Sequence, residues 1–135
     1  NNNMNFNRVP MAGTIPCGDL NETFEQELEY FLIPKALTGN GEFFLLKASG
    51  DSMVDVGVNN GDLVLVKKQS TADSNQIVAV LYETDKTTLK RILFKKDHIV
   101  LHPENKDMKD IIIQGKDRDK LCIQGLATKV IKDLK

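Results

Sequence analysis

The chain reads as a mainly β domain built on a curved, barrel-like antiparallel sheet. Three observations predict this. From Glu42 onward, short apolar runs rich in Val, Ile and Leu alternate with Gly, Asn, Asp and Pro turn signals. The longest of these runs is about five to seven residues, strand-sized and far below a membrane span. No stretch carries a clear long-helix pattern, and 41 % of residues are hydrophobic without a single Trp.

In chain order, Asn1 to Asn7 is polar and low in complexity, expected as a linker end or disordered tail. Val9 to Gly18 holds Pro10, Pro16, Gly13 and Gly18, which exclude a helix and a central strand and leave an exposed, extended segment. Such segments are what proteases bind, because their backbone can pair with a sheet edge. Thr23-Phe24-Glu25-Gln26 has capping-box spacing for a short helical turn, and Glu29 to Leu32 reads as a brief strand closed by Pro34 and a Thr38–Gly41 turn. Strands follow at Phe43–Lys47 and, after the loop Asn59–Asp62, at Leu63–Val66. Ile77 to Tyr82 has no charged position and reads as buried on both faces; Thr84-Asp85-Lys86 turns it into Thr87–Phe94. His98–His102, Ile111–Gln114 and Leu121–Ile131 complete the set, the last interrupted at Gly125 by a suspected bulge.

At 135 residues the chain fits one domain with a real core. Its 18 basic and 19 acidic residues are spread along the length for a net charge of -1, so no basic face marks a nucleic-acid binder. No membrane span and no signal peptide are expected, the N-terminus being uncharged until Arg8. Cys17 and Cys122 are too few and too far apart for a disulfide framework, which suggests a reducing, cytoplasmic setting.

The chemistry centres on Ser49-Gly50-Asp51-Ser52-Met53, a turn just past a strand end. A serine held there can point its hydroxyl in a fixed direction and act as a nucleophile if a base is near; the plainer alternative is a serine that caps its own loop. His98 and His102 share one face of a strand, and Pro103-Glu104-Asn105 puts them at the rim. The plainer reading, polar residues on the solvated face of an edge strand, is preferred over a metal site, for which no third ligand is evident. Lysine is the other partner a serine can use, provided burial lowers its pKa from about 10.4. Lys90 fits, lying in Thr88-Leu89-Lys90-Arg91-Ile92, although alternation alone does not decide whether Lys90 or Arg91 faces inward. Of the two, only lysine loses its proton at accessible cost, and a snorkelling Lys90 on a half-exposed strand is the plainer alternative. Cys17 sits in the extended segment and Cys122 in an apolar strand, expected in the core; neither reads as a nucleophile.

Together these residues resemble the C-terminal domain of the LexA family of self-cleaving repressors, from about Val9 to Lys132. The motifs are SGDSM at Ser49–Met53 with the following DVGVNNGDLVLV, TLKRI around Lys90, LHPEN at Leu101–Asn105, and IQGLATKVI near the C-terminus. The resemblance implies curved antiparallel sheets in a partly open barrel, with residues 1–8 a tail, 9–135 the peptidase and dimerisation domain, and 9–23 the cleavage-site segment. It implies that Ser52 attacks, that Lys90 is the base, and that backbone N–H groups at Asp51 and Ser52 hold the oxyanion. The scissile bond would be the chain's own Cys17–Gly18, where the family usually has Ala-Gly; UmuD, a translesion-synthesis relative, has Cys-Gly. No cofactor or metal enters. A homodimer, a RecA–ssDNA filament as co-protease, and operator DNA contacted only through an N-terminal domain absent from this sequence are the implied partners. A UmuD-like chain or prophage repressor, an inert dimerisation module, and a signal-peptidase-like enzyme are the alternatives; the last would need an anchor or apolar face that the sequence does not show.

Overall fold

The computed structural model describes residues 5–12 and 29–134. Its architecture is mainly β: strands β1 (Phe6–Pro10), β2 (Tyr30–Pro34), β3 (Phe43–Lys47), β4 (Leu63–Lys68), β5 (Ile77–Leu81), β6 (Thr88–Phe94), β7 (His98–His102), β8 (Ile111–Gln114) and β9 (Cys122–Ile131), with a single-turn helix α1 (Lys35–Thr38). β3 to β9 form one unclosed antiparallel sheet in the order β3-β4-β9-β5-β6-β7-β8, and β1 pairs with β2 separately. Among the described residues no helix is long and apolar enough to cross a membrane.

The last strand lies at the centre because it is long enough to serve two partners. The C-terminal part of β9 pairs with β4 and its N-terminal part with β5. Its register slips opposite Leu65/Val66 and opposite Ala79/Val80, and these irregularities bend the sheet. Gly125, beside the second slip, is required by space: a Cβ there would lie 2.4 Å from the Lys67 carbonyl oxygen.

Strand alternation sends apolar residues to both faces. Phe44, Leu46, Val64, Val66, Ala79 and Leu89 point to one side and bury Ala12, Met53 and Val58 with them. Phe43, Leu45 and Leu65 point to the other, where the β1–β2 hairpin covers them with Val9 and Ile33. Further along that second face Val78, Val80, Ile92, Leu101 and Ile113 form another cluster.

Several sequence expectations change. The polar tail gives way to a strand at Phe6, because Val9 opposite Phe31 has a remote partner and is fully buried. Ala12 is buried as well, so the segment after β1 starts in the core rather than exposed; residues 13–28, including the capping box and Cys17–Gly18, lie outside the described residues. β2 runs over Tyr30–Pro34 rather than Glu29–Leu32, and a helical turn at Lys35–Thr38 intervenes before Gly39. β7 is an interior strand between β6 and β8, not an edge. Cys122 is half-buried, and its sulfur is not a free thiol.

Candidate active site

The serine turn is fastened on both sides. Where β3 ends, Ala48 N donates to Asp62 O and Gly61 N returns to Ala48 O, both at 2.8 Å. Gly50 adopts a left-handed φ of 82°, which a side chain would oppose, and its N–H donates to Asn60 Oδ1 at 2.9 Å. Beyond Ser52, Met53 drops into the core at 3 % exposure and the chain closes a 3-10 turn over Val54–Val56. Ser52 is therefore half-buried between an exposed Asp51 and a buried Met53. Its backbone N–H and that of Asp51 make no hydrogen bond among the described residues.

Ser52 lines a cavity of about 130 Å³ whose other walls include Leu46, Ser49, Met53, Thr88 and Leu89. The wall from β6 stops at Leu89, and Lys90 is the next residue of that strand. Cross-strand pairing decides its face. Lys90 stands opposite Val78, in the cluster with Ile92, whereas Arg91 stands opposite Ile77 and gives its Nε to Glu104. Lys90 is half-buried, and desolvation pulls its pKa below the usual 10.5, in the direction a general base needs. Its Nζ donates to Leu89 O at 3.2 Å; the Lys90 and Ser52 side chains do not hydrogen-bond to each other. Lys47 and Lys86 also border the cavity, but both are exposed.

The loop after β7 reaches the same turn, which the sequence does not reveal beyond showing LHPEN as a motif. Asn105 Nδ2 donates to Asp51 O at 2.8 Å, Asp55 N donates to Glu104 O at 2.8 Å, and Lys106 N donates to Asp55 Oδ2 at 3.1 Å. Neither histidine lines the serine's cavity: His98 Nδ1 meets Asp97 and His102 Nδ1 meets Asp110, with His102 Nε2 4.0 Å from Glu104 Oε2 in the loop after β7. Among the described residues no cluster of His, Cys, Asp and Glu could hold a metal ion.

Comparison with known proteins places this geometry. A family model described as Peptidase S24-like matches residues 10–128, which takes in the serine turn, β6 and the loop after β7. The chain belongs to that family. It is also similar to LexA repressors: 40 % identical over 105 residues to that of Halalkalibacterium halodurans, covering 78 % of this chain and 51 % of the relative. The LexA repressor of Thermosipho melanesiensis is 44 % identical over 110 residues (81 % of this chain, 55 % of the relative), and that of Pelagibacter ubique 35 % over 133 (98 % and 58 %). The chain thus spans little more than half the length of the curated relatives it matches. The likeness to the C-terminal domain of LexA repressors, implied by the motifs, holds across most of the chain.

Proposed function

We propose that this chain is the self-cleaving domain of a LexA-like transcriptional repressor, in which Ser52 and Lys90 cut the chain's own Cys17–Gly18 bond. The observation that carries the reading is the pinned serine in a cavity bounded by β6 up to Leu89, the strand neighbour of Lys90, whose burial makes it easier to deprotonate. Neutral Lys90 takes the proton of Ser52 Oγ as that oxygen attacks the Cys17 carbonyl carbon. The resulting oxyanion is held by the N–H groups of Asp51 and Ser52. Collapse breaks the C–N bond, and the Lys90 ammonium gives its proton to the departing Gly18 amine. Water then hydrolyses the Cys17–Ser52 ester with Lys90 again as base. The missing Ser52–Lys90 hydrogen bond does not oppose this, because catalytic hydrogen bonds often tighten only once substrate is docked.

Chain connectivity supports a substrate on the same molecule. Ala12 shares the buried cluster of Met53, the neighbour of Ser52. From Ala12 to Cys17 an extended chain reaches at most about 17 Å, enough for a residue that starts in this core. Met11 N donates to Glu29 O at 2.8 Å, so both ends of the segment 13–28 are anchored together beside β3. The rate is then set by how often the segment docks, and a RecA–ssDNA filament would act by favouring the docked state. Dimerisation would use the end of β9, where Val130 and Ile131 are exposed, and operator DNA would be contacted by a part of the protein outside this sequence. A UmuD-like role is the second reading, favoured by Cys at the first position of the scissile pair; the named relatives favour the repressor.

Incubation of the purified chain at about pH 10, near the ordinary lysine pKa, should yield, after reduction, Asn1–Cys17 and Gly18–Lys135, identified by mass. Ser52→Ala and Lys90→Ala should stay whole. A wild-type chain that also stays whole leaves only a binding or dimerisation module.

A further inference from the structure

We infer that Asn105 is a positioning residue for catalysis: it orients the Asp51–Ser52 peptide so that the Ser52 N–H faces the reacting carbonyl oxygen. This rests on the peptidase reading above. Asn105 is half-buried in the loop after β7, and its Nδ2 donates to Asp51 O at 2.8 Å across 54 positions of sequence. Its amide cannot be turned around. Oδ1 accepts the N–H of Asp107 at 2.9 Å, which leaves only the donor end to face Asp51.

The Asp51–Ser52 peptide is trans, so its C=O and N–H point in opposite directions. Tying the carbonyl to Asn105 turns the Ser52 N–H away from that loop. There it has no partner among the described residues. The other donor to Asp51 O, the Val54 N–H, stands at 3.4 Å, at the weak end of hydrogen bonding. Asn105 is therefore the principal tether on the orientation of this peptide.

The same loop is braced against the lysine strand. Glu104 accepts Arg91 Nε, and Arg91 is the neighbour of Lys90 on β6. Glu104 O and Lys106 N bond Asp55 on the serine side. Residues 104–106 thus join the nucleophile's turn to the base's strand, with Asn105 acting on the oxyanion side. Being uncharged, it leaves the protonation of Lys90 alone.

The test is the self-cleavage rate of the full chain across pH for wild type, Asn105→Ala and Asn105→Asp, with thermal melts of each. Asn105→Ala should lower the plateau rate about 10- to 100-fold, the scale of a misaligned catalytic group, with the pH midpoint unchanged. Asn105→Asp keeps the acceptor for Asp107 but at alkaline pH replaces the donor with a charged carboxylate oxygen that repels Asp51 O, so its plateau should fall at least as far. Labelling of Ser52 by a fluorophosphonate, which needs no docking of the cleavage segment, should slow in parallel. A role in stability alone would loosen the site, hydrate Lys90 and move the midpoint upward with little loss of plateau, and that result overturns the inference. So does a wild-type plateau in either variant. A wild type uncut at every pH overturns the peptidase reading and this inference together, whereas cleavage unaffected at position 105 overturns this inference alone.

Discussion

Lys90 carries its charge in a poor solvent. It stands on the face of Val78 and Ile92, both fully buried, and among the described residues its one acceptor is the backbone carbonyl of Leu89. Burial lowers its folded pKa below the unfolded value, so between the two the unfolded chain binds more protons and stability rises with pH. Below the folded pKa the charged lysine costs the native state its full desolvation penalty. Lys90→Met should therefore abolish cleavage and raise the melting temperature by roughly 2–5 °C at neutral pH. The gain should shrink as pH approaches the ordinary lysine value. Paired melts of wild type and variant at neutral and alkaline pH check both the sign and the trend, and a destabilised variant at neutral pH contradicts them. Sequence alternation leaves Lys90 and Arg91 equivalent, because each shares its face with apolar neighbours. What separates them is across the sheet: Val78 opposite one, and Glu104 in reach of the other. That information is not local.

At the level of elements, the strands from Phe43 onward are legible in the sequence because each is a short apolar run between turn residues, and Gly125 signals the irregularity in β9. β1 is not legible, since Phe6–Pro10 has a polar, Asn-rich approach and becomes a strand only by pairing with Tyr30–Pro34. The clamp from residues 104–106 onto the serine turn is hidden for the same reason: its partners lie about fifty positions away. Of the site residues named from the motifs, Ser52 shares a cavity with the start of β6 up to Leu89, Lys90 is the next residue of that strand, and Cys17–Gly18 lies outside the described residues. How the turn is held open towards that cavity shows only in three dimensions. Gly125 supplies a test at this scale. An added methyl group would sit 2.4 Å from both Lys67 O and Val66 Cγ1, so Gly125→Ala must push β4 and β9 apart. The expected cost is about 1–3 kcal/mol in urea unfolding, the usual range for overpacking. A variant as stable as wild type would show that this junction has slack.

For the whole molecule, the proposed reaction makes the chain its own substrate, and two consequences can be separated. Cleavage should be first-order and independent of protein concentration, while dimerisation through the end of β9 should depend on it. Val130 and Ile131 are exposed there, and Ile131→Asp should weaken self-association at least about tenfold in sedimentation equilibrium, as removal of an interface anchor does. Its rate of self-cleavage per chain should be unchanged. Loss of cleavage with loss of the dimer would mean that the segment is cut by a partner rather than by its own Ser52.

The central claim is that a desolvated Lys90 activates Ser52 against Cys17–Gly18, and the most direct measurement is the first-order rate of that cut as a function of pH. The rate should rise with pH to a plateau, with a midpoint below the ordinary lysine value because burial favours the neutral amine. Ser52→Ala and Lys90→Ala should be flat at zero. A midpoint at or above 10.5, the value Lys90 would have without burial, or cleavage that survives in Lys90→Ala, would contradict the claim.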